Sequence, residues 1–231
     1  FFSHAIFISC CAVALCFQSV SLRNLHAGNF VYALLFAGTL AGYNFYAVVA
    51  MLRKGVGFSM LRKNKLLAFH IMFLVVSAVV LLLVLMRHPN AIVPVFASSA
   101  LTVLYSFPLW FTKQPSWLKS IGFLKTLLLS FTWAFSTVII PAAVAGSAFN
   151  NETLLLFAAR FFFMLMLCII FDSRDAAADK EQSFHSLATN LSEQAIQRLM
   201  IMAFIAYIIA GLLFCFHFGN EKQGFAFALN G

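Results

Sequence analysis

Acid is what this sequence has least of. Its 231 residues hold 7 Asp and Glu against 15 Lys and Arg, and no carboxylate occurs anywhere from Phe1 to Asn151. Charged residues make up only 10% of the chain, where a water-soluble domain carries about 25%. Too little polar surface exists to cover a particle in water, so a soluble globular fold is excluded. The five cysteines form no C-x-x-C pair, which leaves neither a zinc site nor a disulfide framework and makes them small packing residues. The six histidines are scattered, with no H-x-x-x-H or H-E-x-x-H spacing, so a histidine metal centre is not indicated. There is no D-G-x-x-A-R run of the kind a phospholipid-type alcohol phosphotransferase needs. No internal repeat or pair of Gly/Pro-broken helices points to a small transporter.

What is present is apolar residue in long runs. The chain is 63% hydrophobic, with 29 Phe and a mean hydropathy of +0.95. Seven stretches are long enough to cross a bilayer at about 20 residues each: Phe1–Val20, Asn29–Leu52, Leu66–Met86, Ala91–Phe111, Ile121–Ala145, Glu152–Asp172 and Arg198–Phe218. Lipid offers free backbone groups no partner and the runs do not alternate apolar with polar, so helices are expected rather than strands. The fold class is therefore all-α, a polytopic transmembrane bundle forming one domain over residues 1–231. The chain does not open on Met, and its tail turns apolar again at Phe225. A fragment cut off at the start of an eighth helix is the expectation.

The basic excess would suit nucleic acid in a soluble protein. Here the charges lie between apolar runs, so membrane lipids and not nucleic acid are the expected surroundings. The connections after the second, fourth and sixth runs carry Arg53, Lys54, Arg62, Lys63, Lys65, Lys113, Lys119, Lys125, Arg174, Lys180 and Arg198. The opposite side carries Arg23, Arg87, Arg160 and Lys222. Eleven against four makes the first side cytoplasmic.

All three aspartates of the chain fall on that side, within "FDSRDAAADKEQ" at the end of the sixth run. Asp172, Asp175 and Asp179 are spaced i, i+3, i+7 and share a helix face within about 60°. Three carboxylates on one stripe repel one another unless water or a cation lies between them. Mg²⁺ takes oxygen ligands and commonly carries a phosphate with it. Lys180, near the edge of the stripe, could reach that phosphate. A solvated helix tip is the bland alternative. Arg160, about two turns inside the sixth run, and Lys125, at the start of the fifth, are expected to snorkel to the headgroups.

The segment "DSRDAAADKEQSFHSLA" resembles the second aspartate-rich motif of the UbiA-type intramembrane prenyltransferases, matching at Asp172, Asp175, Asp179, Lys180, Ser186 and Leu187. It departs at Ser183, His185 and Ala188. The stretch Leu104–Ala142 is similar to that family's fourth and fifth helices with a Tyr-Ser/Thr-x-Pro loop between them. Tyr105, Ser106 and Pro108 supply the loop, Trp110 and Phe111 stand where a basic residue usually follows, and Lys113 is the nearest cation. The resemblance runs through all seven helices and implies nine in total, so two would be missing here. It implies an apolar chamber holding a prenyl diphosphate, with Mg²⁺ bridging the diphosphate to aspartates on helices two and six. The allylic cation then alkylates an aromatic or other lipophilic acceptor.

The first of those motifs, N-D-x-x-D-x-x-x-D, is degenerate. Asn44 matches the Asn, but Phe45, Val48 and Leu52 occupy the aspartate positions. With Asp172, Asp175 and Asp179 as the catalytic and metal-binding set, the resemblance leaves Asn44, Arg53, Lys54, Tyr105, Lys113 and Lys180 as substrate contacts. Asn44, beside Tyr43 and Tyr46, either lines the cavity mouth or bonds a neighbouring helix. The basic loop Arg53–Lys65 either grips diphosphate or attracts anionic lipid. Two functions stay open: prenyl transfer, or isoprenoid binding by a member that lost catalysis.

Overall fold

The structure, a computed structural model, describes residues 2–53, 65–106, 121–147, 150–181 and 192–218. The side chains of Arg53, Tyr105, Asp175, Asp179 and Lys180 lie outside that description, as do Lys54 and Lys113 altogether. Among the described residues there is no strand. Seven helical rods follow one another among these residues: α1 (Phe2–Leu22), α2 (Phe30–Arg53), α3 (Lys65–Arg87), α4 (Ile92–Ser106, after a 3₁₀ turn Pro89–Ala91), α5, α6 (Asn151–Glu181) and α7 (Glu193–Phe218). Rod α5 is made of three pieces, Ile121–Ala134, a π-helical turn Phe135–Ile139, and Ile140–Val144. Six of the rods are long and apolar enough to span a bilayer, and α4 is a shorter apolar helix. The chain is an integral, multi-pass membrane protein.

Inside these helices many hydroxyls bond their own backbone. Ser9, Ser19, Ser99, Thr102, Ser130, Thr132, Thr137 and Ser173 each donate to the carbonyl four residues back. A hydroxyl bonded within its own helix can sit in an apolar interior without an unpaired proton. The packing runs α3 on α2, α2 on α1, α1 on the π turn of α5, α5 on α6, and α6 on α7, with α4 against α5. Cys16, Val31, Leu34 and Ile140 form one core, and Val138, Leu156 and Phe214 another. The outer face of α3, with Val75, Val79, Leu82 and Leu83 exposed, is left to lipid.

The last rod starts at Glu193, five residues before the expected Arg198, and three further features of the fold depart from the sequence expectation. First, α5 is not one regular helix. Pro141 has no N–H and its ring would crowd the carbonyl four residues back. The chain widens just before it, so that the Ile140 N–H bonds Phe135 O, five residues back. The rod then stops at Gly146, φ +76°, where Gly146 N–H reaches Ala143 O and Ser147 N–H reaches Ala142 O. This is a Schellman end, which needs the left-handed conformation glycine tolerates. Second, α6 continues to Glu181, nine residues past the expected boundary at Asp172. At 1.5 Å per residue its 31 residues reach about 46 Å against roughly 30 Å of hydrocarbon. Third, Arg160 does not snorkel. It is 6% exposed, and its Nη2 donates to Gln18 Oε1 (2.5 Å), Leu15 O and Ser19 Oγ on α1. Neutral acceptors on a packed neighbour hold it in the bundle.

At the opposite end from the basic loops, Arg23 ties α1 to α6. Its Nη2 donates to Asn150 Oδ1 at 2.9 Å, and its Nε lies 3.6 Å from Glu152. Burial lowers the Arg23 pKa, and the Glu152 carboxylate opposes that shift. Asn150 also caps α6 by accepting from Thr153 N–H (2.9 Å).

Candidate functional site

Helices α2, α4 and α5 close around a cavity of about 360 Å³, with Leu74 and Leu81 of α3 and Ala12 of α1 completing its wall. That size lies within the range of small-molecule sites. Its walls are mostly apolar: Leu34, Leu35, Val95, Leu129, Trp133 and Ile140 among them. Three helices bring hydroxyls to this wall. Thr39 comes from α2, while Ser98 of α4 and Ser136 of α5 bond each other at 2.7 Å. The widened π turn puts Ser136 and Thr137 into this wall. No charged residue lines the cavity among the described residues.

Towards the basic end, Tyr43, Phe45 and Tyr46 are the last wall residues on α2. Lys125 of α5 points back at them. Its Nζ lies 3.4 Å from Tyr46 Oη and 5.7 Å from the centre of the Tyr46 ring. An ammonium over an aromatic face is attracted by the ring quadrupole. The expectation that Lys125 snorkels to the headgroups is therefore replaced by an inward contact. The next residue, Thr126, is buried and donates its hydroxyl to Asp172 Oδ2 at 2.6 Å. Contacts thus run from the cavity wall at Tyr46 through Lys125 and Thr126 to the first aspartate of α6.

Asp172, Asp175 and Asp179 all lie on the unbroken helix α6. Asp172 is half-buried, and it is the member whose side chain is described. Arg174 lies apart, exposed, its guanidinium 5.2 Å from the Phe171 ring. Asn44 is turned into the α2–α3 seam. Its Nδ2 donates to Leu40 O at 2.7 Å, and its Oδ1 then accepts from His70 Nδ1 at 2.8 Å. Of the two roles open to Asn44, the helix–helix bond is the one the structure displays, while its neighbours Tyr43 and Tyr46 line the cavity.

A model of the UbiA prenyltransferase family matches residues 59–229. The chain belongs to that family. No curated protein matches it, and neither does any solved structure. The family match begins after α2, so it does not cover the stretch Asn44–Leu52.

UbiA prenyltransferases generally use Mg²⁺, and the two ends where the metal would be bridged differ here in their fitness for it. On α6 the donors are of the right kind: three carboxylate residues on one helix, with Asp172 oriented by a hydroxyl. Among the described residues no three His, Cys, Asp or Glu side chains gather, but those of Asp175 and Asp179 fall outside that set. On α2 the donors do not fit. Phe45 faces the cavity, Val48 is buried in the core, and Leu52 is partly buried. None has an atom a hard cation could use.

Thr126 and the cavity-wall hydroxyls of Thr39, Ser98 and Ser136 were not apparent in the sequence as site residues. Their signal was weak: isolated Ser and Thr in apolar helices, a pattern shared by those that only back-bond. Lys125 was visible as a cation inside an apolar run, which is by default a functional signal.

Proposed function

We propose that the chain is a divergent UbiA-type prenyltransferase that moves an isoprenoid from a prenyl diphosphate to a lipophilic acceptor, aromatic or otherwise. The observation carrying this reading is the anchored position of Asp172, held by Thr126, the chain neighbour of a lysine that meets the cavity-wall residue Tyr46. In this reading the cavity holds the isoprenoid tail and keeps water from the reacting carbon. Asp172, Asp175 and Asp179 would hold Mg²⁺ at the cytoplasmic mouth. When bound there, the ion offsets the charge of the departing diphosphate, an effect worth several kcal/mol in a dry site. Thr126 fixes the Asp172 carboxylate. Tyr105, Lys113, Lys180, Arg53 and Lys54 are substrate contacts for the diphosphate, with Asn44 positioning Tyr43 and Tyr46 from behind.

The absence of acid on α2 favours a second reading, in which the cavity binds an isoprenoid without ionising it. The two separate in one experiment. The full-length protein in detergent is incubated with radiolabelled prenyl diphosphates of several lengths, with and without Mg²⁺, and retention and diphosphate release are both followed. Mg²⁺-dependent release that disappears in Asp175→Ala supports transfer. Retention without release supports binding alone. Neither outcome at any tail length removes both.

A further inference from the structure

The cavity wall carries more free hydroxyl than an isoprenoid tail can use. Ser99, Thr102, Thr132 and Thr137 line it, but each donates to a carbonyl of its own helix. That bond satisfies the proton. Ser98 and Ser136 line it too and behave differently. Their oxygens lie 2.7 Å apart, joining α4 to α5, in place of a bond to their own helices. Two hydroxyls bring two protons, and the bond between them uses one, so the other has no acceptor in the pair. Thr39 of α2 also lines the cavity and makes no hydrogen bond among the described residues. Ser136 belongs to the π turn Phe135–Ile139, and single π turns inside helices are frequent at functional sites.

A hydroxyl left facing hydrocarbon is costly, so an occupant made only of hydrocarbon suits this part of the wall badly. An occupant with a carbonyl or hydroxyl oxygen suits it, because that oxygen accepts the unused protons. A carboxylate does not. No charged residue lines the cavity among the described residues, and an anion moved from water into an apolar chamber needs a charged partner or a metal.

We infer that Thr39, Ser98 and Ser136 select the acceptor of the transfer: an uncharged lipophilic molecule docked through a hydroxyl or carbonyl oxygen on the Ser98–Ser136 pair. This rests on the prenyl-transfer reading above and names the chemical class of its second substrate. The apolar remainder of the wall, with Leu34, Leu35, Leu129 and Ile140, is left to the isoprenoid.

The test uses the full-length protein in detergent and three probes of one shape: 4-butylphenol, butylbenzene and 4-butylbenzoate. Saturable binding is measured by equilibrium dialysis against protein-free detergent. The wild type is expected to hold 4-butylphenol about tenfold more tightly than butylbenzene, and 4-butylbenzoate no better than butylbenzene. The double variant Ser98→Ala/Ser136→Ala should lose most of the preference for 4-butylphenol while binding butylbenzene as the wild type does. Equal binding of 4-butylphenol and butylbenzene by the wild type overturns the inference. So does a preference that survives in the double variant, or tightest binding of 4-butylbenzoate. A parallel loss of butylbenzene in the variant overturns it too, by marking the pair as structural. Retention of farnesyl diphosphate with Mg²⁺ is read on the same samples. If the wild type retains it but shows no preference for 4-butylphenol, the acceptor assignment fails alone. If it is not retained, the prenyl-transfer reading fails and the acceptor assignment falls with it.

Discussion

A threonine hydroxyl 2.6 Å from Asp172 shows how single contacts set this site. A hydrogen bond to a charged group is worth about 1.5–3 kcal/mol, and groups that orient a metal ligand commonly change metal affinity about 10–100-fold. Thr126→Val should therefore raise the Mg²⁺ concentration for half-maximal diphosphate release by about tenfold or more, while Thr126→Ser stays near wild type. An Mg²⁺ titration of release checks this. Arg160 makes the opposite case, a buried charge held by neutral acceptors. Removing one partner of a buried polar contact leaves the other unsatisfied, which is costly. Arg160→Met deprives the Gln18 amide oxygen of its donor and should lower the melting temperature in detergent. Gln18→Ala should lower it, by about 1–3 kcal/mol of stability. Neither Thr126 nor Gln18 could be paired with its partner from the sequence, because 46 and 142 residues separate them. The burial of Arg160 was misjudged for the same reason: chain position gives depth along a helix, not which neighbour the side chain faces.

At the scale of elements, hydropathy was enough to place every rod, since lipid forces the backbone into helices wherever apolar residues run long. It failed where the cause is local geometry. The π turn of α5 follows from Pro141, but an apolar run with a proline reads equally well as a kink or a clean helix. The turn matters to the site, because it carries Ser136 and Thr137 into the cavity wall. Pro141→Ala restores a backbone donor and removes the reason for widening. The expected result is a melting temperature equal to or above wild type, with farnesol retention reduced several-fold. Unchanged retention would separate the turn from the cavity. The length of α6 was also hidden, since its last nine residues are polar and alanine-rich, and only continuous helix keeps Asp175 and Asp179 in register with Asp172.

At the scale of the whole molecule, the bundle joins an apolar chamber to a charged end. That one helix carries all three aspartates was legible in the sequence, and the chamber was expected only through the family resemblance. The link between them, Tyr46 to Lys125 to Thr126 to Asp172, is a product of how α2, α5 and α6 converge. Everything proposed depends on the isoprenoid tail occupying that chamber while the head group stays near α6. Photolabelling with a benzophenone-tagged prenyl diphosphate, followed by peptide mapping, tests this most directly. The account predicts adducts on cavity-wall residues such as Thr39, Ser98 and Ser136, competed by untagged farnesyl diphosphate. Labelling confined to the lipid-facing side chains of Val93 and Phe96, or indifferent to the competitor, would contradict it.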